Sequence, residues 1–376
     1  MSKIYQIITS VQLGGAENVA INLAKHCYSN NGNFNNVELV IVELYPSKND
    51  YAISLKKELN LINIPVKTLF NGKKRISMFF APFMLMKLIL KDKPAIIHSH
   101  TDLPDFVLSV CLKMCSILKN HKPKIVRTIH NTQLWRSHNK TGKLTESSFN
   151  NEYIAAVSQE AMNAYEQLRV KYNLSISNQR QIIYNGLSVI NNFQHPFKID
   201  NDKINISFCG RFEDYKGMDV LIPAIKEIER RYPSRFLFHI IGNGTYKNDL
   251  LQLSKYSTNV IMYEPIPNVS SYFHVFDYMF MPSHFEGLAL ISIEASLSKT
   301  PVIASYAPGL DETLPIEWPL RFNRNNTEEL YDLFDEIHKS EIDLVLLKQM
   351  AYTYASKMFS LDKMIKSYTK LYDEIL

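Results

Sequence analysis

Long hydrophobic runs are missing from this 376-residue chain, and no stretch reaches the roughly 18 apolar residues that a membrane-spanning helix needs. Residues 1–11 read as a short strand rather than a secretory leader, because their apolar part is brief and no small-residue cleavage site follows. Cysteine is scarce and scattered (Cys27, Cys111, Cys115 and Cys209), which suits a reducing cytoplasm. Cys111 and Cys115 stand one helical turn apart, where a buried helix face is expected ahead of a redox or metal pair. Low-complexity tracts and tandem repeats are also absent. So is the G-x-G-x-x-G fingerprint of dinucleotide binding.

What is present suits a folded globular protein: 46% hydrophobic and 21% charged residues, in a length that fits two domains. Charge is shared unevenly. Residues 1–188 hold 23 Lys and Arg against 12 Asp and Glu, a net of +11. Residues 189–376 hold 19 against 25, a net of −6, and the two make the +5 of the whole chain. The asymmetry supports two domains, the first of them facing something anionic.

Short apolar strands alternate with helical patterns along the chain. In the first half the candidate strands are residues 4–9, 37–42, 96–98, 125–128, 153–157 and 181–183, with helical stretches including 16–27 and 103–118. Around residues 188–203 the chain turns polar. The cadence then restarts with strands 204–209, 236–241, 260–262, 278–281 and 301–304 and a helix from Met218, and an amphipathic helical pattern occupies 348–376. The pattern predicts an α/β protein of two doubly wound domains facing a cleft: the first over 1–188, a linker at 189–203, the second over 204–347, and a helical segment at 348–376 that has the option of crossing back to the first domain. In open parallel sheets ligands sit outside the carboxyl ends of the strands.

The stretch Ser283 to Ala295 carries the strongest chemical signal. Glu286 and Glu294 are eight residues apart across a glycine turn and an apolar run, about 80° apart if all were one helix. Gly287 favours a loop holding Glu286 and a helix holding Glu294. A helix N-terminus between two carboxylates suits a phosphate and sugar hydroxyls together. A surface turn before a core helix is the plainer alternative. Strand 204–209 runs into Gly210-Arg211 and Lys216-Gly217, a loop able to close on a pyrophosphate, or else an ordinary solvated loop. The Gly14-Gly15-Ala16-Glu17 turn after the first strand could likewise approach a phosphate, or could need glycine only for its turn. Gly242-Asn243-Gly244 reads as a plain turn.

His130 at the end of a strand could bond a sugar hydroxyl or serve the structure. His98 and His100 could pair on a metal, but no third ligand has suitable spacing, so no metal is expected. Asp200-Asn201-Asp202 matches an Asp-x-Asp pattern and reads as a solvated turn. The apolar segment 76–90 is flanked by Lys73, Lys74, Arg75, Lys87, Lys91 and Lys93. It is too short to span a bilayer, and either lies on one or is buried between strands.

Taken in order, these motifs resemble the retaining glycosyltransferases of family 4, of the bacterial capsule and lipopolysaccharide polysaccharide-assembly type. The similarity covers nearly the whole chain and adds Val157-Ser158, Asn185-Gly186 and Pro301-Val302-Ile303-Ala304 to the motifs above. It implies the GT-B fold of two facing Rossmann-like doubly wound domains with an interdomain cleft. It also implies that Arg211 and Lys216 hold the donor diphosphate, that Glu294 takes the ribose hydroxyls, and that Glu286 contacts the transferred sugar with His130 on its outer hydroxyls. By the same resemblance, Gly14, Gly15, Asn185, Gly287, Leu288, Ala289 and Leu290 line the substrate. The resemblance further implies that no metal is needed, since cations and a helix dipole would stabilise the leaving diphosphate. The sequence departs from the family pattern at Ala289 (usually Gly or Pro), at Ser298-Lys299 (usually Cys-Gly), and at Leu187-Ser188 after Asn185-Gly186.

The implied activity is transfer of a hexose or N-acetylhexosamine, from a UDP-sugar for preference, to a lipid-linked or oligosaccharide acceptor. The expected setting is cytoplasmic, peripheral on an anionic membrane surface through the basic first domain, with no nucleic acid partner. A GT-B nucleotide-sugar 2-epimerase and a non-catalytic partner subunit are the alternatives.

Overall fold

The computed structural model describes residues 2–12, 14–29, 37–72, 74–117, 122–136 and 138–376. Two compact units result, one from the residues up to Gly186 together with Leu361–Leu376, the other from Leu187–Ser360. The expected linker at 189–203 therefore goes with the second unit. The helical segment expected over 348–376 is two helices that part at Ser360, one for each unit.

Among the described residues the first unit has seven strands: β1 (Ser2–Ile8), β2 (Val37–Glu43), β3 (Val66–Thr68), β4 (Ile96–His100), β5 (Lys124–Ile129), β6 (Tyr153–Ala156) and β7 (Arg180–Ile182). All pair in parallel, in the order β3-β2-β1-β4-β5-β6-β7. The helices between them are α1 (Gly15–Cys27), α2 (Asp50–Leu61), α3 (Lys74–Asp92), α4 (Asp102–Ile117), α5 (Asn139–Glu146) and α6 (Gln159–Lys171). Strands such as β2 are apolar almost throughout because helices cover both sheet faces.

The second unit repeats the plan with six strands: β8 (Ile204–Arg211), β9 (Phe236–Asn243), β10 (Val260–Tyr263), β11 (Tyr278–Met281), β12 (Val302–Ser305) and β13 (Arg321–Phe322). Their order is β10-β9-β8-β11-β12-β13, again parallel. Its helices are α7 (Met218–Arg231), α8 (Lys247–Tyr256), α9 (Leu290–Leu297), α10 (Thr327–Lys339) and α11 (Leu344–Met358). Each sheet reverses strand order once, between β1 and β4 and between β8 and β11. The crevice at such a reversal is where parallel sheets bind ligands.

The last helix, α12 (Leu361–Ile375), belongs to the first unit. Met364, Ile365, Tyr368, Leu371, Tyr372 and Ile375 recur at helical spacing and pack against Ile4, Val19, Leu23, Val37, Ile96 and Val126.

The apolar segment 76–90 lies in α3 and is two-faced. Ala81, Leu85 and Ile89 are buried, whereas Ile76, Phe79, Phe80, Phe83 and Met84 are exposed, Phe79 at 80%. Lys87 and Lys91 share the exposed side. Lys73, and the side chains of Lys74, Arg75 and Cys115, lie outside the described residues. No helix among the described residues is long and apolar enough to cross a membrane.

Candidate functional site

In the second unit the residues singled out above converge at the reversal between β8 and β11. The chain leaves β8 at Arg211, makes one tight turn over Asp214–Lys216, and enters α7 through Gly217. Gly217 has φ +75°, and a Cβ there would run into the carbonyl oxygen of Pro282, the residue after β11. A side chain at 217 would push the two loops apart. Their close approach brings Lys216 Nζ to 2.6 Å from Glu286 Oε1.

Ser283 Oγ donates to the same Glu286 oxygen at 2.8 Å, and the Glu286 amide donates to the Pro308 carbonyl at 2.8 Å. Gly309 is the second position that requires glycine: at φ +74° a Cβ would meet the Glu286 carbonyl. Tyr215 stacks on Phe285 with ring centres 5.5 Å apart. Over the Tyr215 ring lie the Arg211 guanidinium at 5.4 Å and Lys216 Nζ at 5.6 Å.

Gly287, Leu288 and Ala289 lead from Glu286 into α9, which opens at Leu290, with the Ala289 amide donating to the Gly309 carbonyl at 2.9 Å. Glu294 sits in α9. Burial pushes its carboxyl up to about 7, against a hydrogen bond from Ser270. The Cys209 thiol near the end of β8 is pushed up to about 12, by burial first and then by the charge of Glu294, with Lys216 opposing. Lys216, Glu286 and Glu294 therefore act on one small region at the strand ends. Two cations stacked on an aromatic ring can meet a diphosphate, and the carboxylates can accept hydroxyl hydrogens.

Four of the expected site residues lie in the first unit. Gly14 precedes α1 and Gly15 opens it. The space that a side chain on Gly14 would need is taken by the Glu17 carboxyl, whose pKa burial raises. The N-terminus of α1 thus already faces a carboxyl of its own chain. Asn185 is buried, and its Oδ1 has no partner among the described residues. His130 follows β5 and meets His100 at 3.2 Å, and burial pushes its imidazole down to about 3.

His98 and His100, weighed above as a metal pair, spend their ring nitrogens on Tyr372, Thr128, Gln6 and His130. Asp200 Oδ1 accepts from the Asp202 amide at 3.0 Å, which makes Asp200-Asn201-Asp202 a local turn. Among the described residues no group of three or more His, Cys, Asp or Glu is placed to hold a metal.

Sequence reasoning missed Tyr215, Phe285 and Ser283, which hold the cations and Glu286 in place. An aromatic directly before Lys216 and another directly before Glu286 were the available signals.

The fold and site define a GT-B glycosyltransferase, and the chain belongs to glycosyltransferase family 4. Two family models match in tandem and together take in most of the chain: Glycosyltransferase Family 4 over residues 13–189, and Glycosyl transferases group 1 over residues 203–339. An uncharacterized 41.2 kDa protein in the cps region of Klebsiella pneumoniae is 25% identical over 81% of this chain and 87% of its own. The O-antigen biosynthesis glycosyltransferase WclY of Escherichia coli is 25% identical over 74% of this chain and 79% of its own. Among solved structures, Anabaena Alr3699/HepE in complex with UDP superimposes with TM-score 0.76 over the whole of both chains, at 15% identity.

Proposed function

We propose that this protein is a retaining, metal-independent hexosyl- or N-acetylhexosaminyltransferase that uses a UDP-sugar and extends a lipid-linked glycan in surface-polysaccharide assembly. The observation that carries the reading is the Lys216–Glu286 pair at the β8/β11 reversal, with Arg211 beside it and the half-buried Glu294 behind. In this reading the cations take the diphosphate, Glu294 the ribose hydroxyls, Glu286 the sugar and His130 its outer hydroxyls. The UDP bound to Alr3699/HepE supports the choice of nucleotide. The O-antigen and cps-region relatives support the pathway.

The test is calorimetry with UDP, GDP, ADP and dTDP, with and without chelator. UDP alone should bind, and chelator should change nothing. Glu294 titrates near 7 in the free protein. Its ionised form accepts hydroxyls without offering a donor of its own, so UDP should favour that form and bind more tightly as pH rises through 7. Between pH 6 and 8 the ionised fraction grows about tenfold, and UDP affinity with it. Glu294→Gln should bind more weakly and lack that increment, keeping only the slope from the nucleotide's own phosphate. No binding by any nucleotide would sink the donor site, equal slopes would remove Glu294 from it, and a product of inverted anomeric configuration by NMR would remove retention.

The acceptor reading rests on α3. Five large apolar side chains face solvent there beside Lys87 and Lys91, and Lys87 Nζ lies 5.6 Å from the centre of the Phe83 ring. Such a face suits the boundary of an anionic bilayer, with the lysines reaching phosphate. Phe79→Ser with Phe83→Ser should lower affinity for phosphatidylglycerol-containing vesicles at least about tenfold, since each buried Phe contributes about 1.5–3 kcal/mol. Wild-type protein that ignores such vesicles and accepts only soluble glycans would overturn this reading.

A further inference from the structure

Behind His130 runs a continuous hydrogen-bonded chain through the core of the first unit. His130 Nε2 meets His100 Nδ1 at 3.2 Å, and His100 Nε2 meets Gln6 Oε1 at 2.7 Å. Gln6 Nε2 donates to the Tyr372 hydroxyl at 2.7 Å, and that hydroxyl meets His98 Nδ1 at 2.6 Å. His98 Nε2 meets Thr128 Oγ1 at 2.6 Å, and Thr128 meets the Tyr368 hydroxyl at 3.0 Å. Every member beyond His130 is at most 1% exposed. The residues come from β1, β4, β5 and α12, which the fold brings together from opposite ends of the sequence.

The chain has a direction. An amide oxygen only accepts, so His100 Nε2 must carry the hydrogen toward Gln6. Burial, followed by the neighbouring histidines, holds the His100 imidazole well below its usual pKa. A neutral ring protonated at Nε2 leaves Nδ1 as an acceptor, so the hydrogen between His100 and His130 belongs to His130 Nε2. In this orientation the NH2 group of Gln6 is spent on Tyr372, whose own hydrogen passes on to His98.

We propose that Gln6 and Tyr372 are positioning residues that lock His130 as the Nε2–H tautomer, leaving Nδ1 as the ring's acceptor for a substrate hydroxyl. The lock stands on the hydrogen-bonded chain alone; the hydroxyl rests on the transferase reading above. His130 would then select donor sugars that present a hydroxyl hydrogen to it, and α12, through Tyr372, would set that selectivity.

The test uses full-length protein labelled with 15N-histidine, without nucleotide, and long-range 1H–15N spectra that separate the two neutral tautomers. The His130 resonances are assigned through their loss in His130→Asn. Wild type should show His130 as Nε2–H. Gln6→Leu, which removes the acceptor, and Tyr372→Phe, which frees the amide to turn, should both give mixed tautomers. UDP affinity should stay within about twofold in both variants, while kcat/KM for the donor sugar falls about five- to tenfold. If Gln6→Leu fails to fold, Tyr372→Phe decides. Nε2–H retained in the folded variants, or Nδ1–H in wild type, would overturn the lock. Failure of nucleotide binding with the tautomer result intact would overturn the transferase reading and leave the lock standing.

Discussion

Lys216→Met is expected to weaken UDP binding about 10- to 100-fold, the range of one or two kcal/mol and more that a hydrogen bond to a charged group contributes. It should lower kcat by a further factor of about 10² to 10³, the usual cost of one group that stabilises charge developing in the transition state. In the free protein Lys216 is paired with Glu286, so two accounts must be separated. If the lysine serves only to neutralise Glu286, the double variant Lys216→Met/Glu286→Gln should recover nucleotide binding. If Lys216 turns to the diphosphate when the donor arrives, the double variant should stay as weak as Lys216→Met, and Glu286→Gln alone should leave UDP affinity near wild type while depressing transfer. We expect the second pattern. The pair then holds the lysine close to the strand ends at little cost in ordering until the phosphates replace the carboxylate. Lys216→Arg should not restore activity fully, because a planar guanidinium beside the Tyr215 ring cannot occupy the position of a compact ammonium.

Much of this site was legible in the sequence because its parts are local. Strand, glycine, cation and helix start follow one another within a few residues after β8, and Glu286, Gly287 and Glu294 do the same after β11. The split of Glu286 into a loop and Glu294 into a helix followed from one glycine. Strand ends were harder to place. β3 and β13 have three residues and two, too few for a period to register. The break between α11 and α12 carries neither glycine nor proline; its only marks are Ser360 and the Asp362 that follows in the first turn. The sense of α3 was open because both its faces are apolar, and only the packing of Ala81, Leu85 and Ile89 tells which one the sheet claims. Least legible was the chain behind His130. Gln6 and Tyr372 are 366 residues apart, and nothing local in either marks it as a partner of the other.

Arg127→Met should be the most damaging single change in the first unit, costing about 3–5 kcal/mol, as expected when a buried ion network loses its centre. Arg127 lies on β5 and is 1% exposed. Its guanidinium donates to Asp105 at 2.8 and 3.0 Å and to Glu146 at 2.7 and 3.0 Å, with Glu152 at 3.6 Å and the Phe149 ring 4.3 Å away. Burial opposes its charge, but Asp105 and Glu146 hold its pKa well above the ordinary value. Arg169 and the Trp135 indole also reach Glu146, so that carboxylate keeps partners without Arg127, while Asp105 loses its cation. Burial already raises Asp105 against the pull of Arg127, and the loss of Arg127 would raise it further.

The sign of the pH dependence follows. A carboxyl whose folded pKa lies above its unfolded one contributes stability that is present at low pH and lost as pH rises through the folded value. The variant should therefore melt about 10 °C below wild type at pH 8, at a few degrees per kcal/mol for a unit of this size, and recover part of the deficit by pH 5. Arg127→Met/Asp105→Asn should recover part of it at every pH. A deficit under about 3 °C, or one equal at pH 5 and pH 8, would rule out buried charge as the cause. The adjacent Thr128 faces the opposite side of the same strand, where it receives the hydrogen-bonded chain from His98. β5 is thus held by ions on one face and by a polar chain on the other, and both end within three residues of His130.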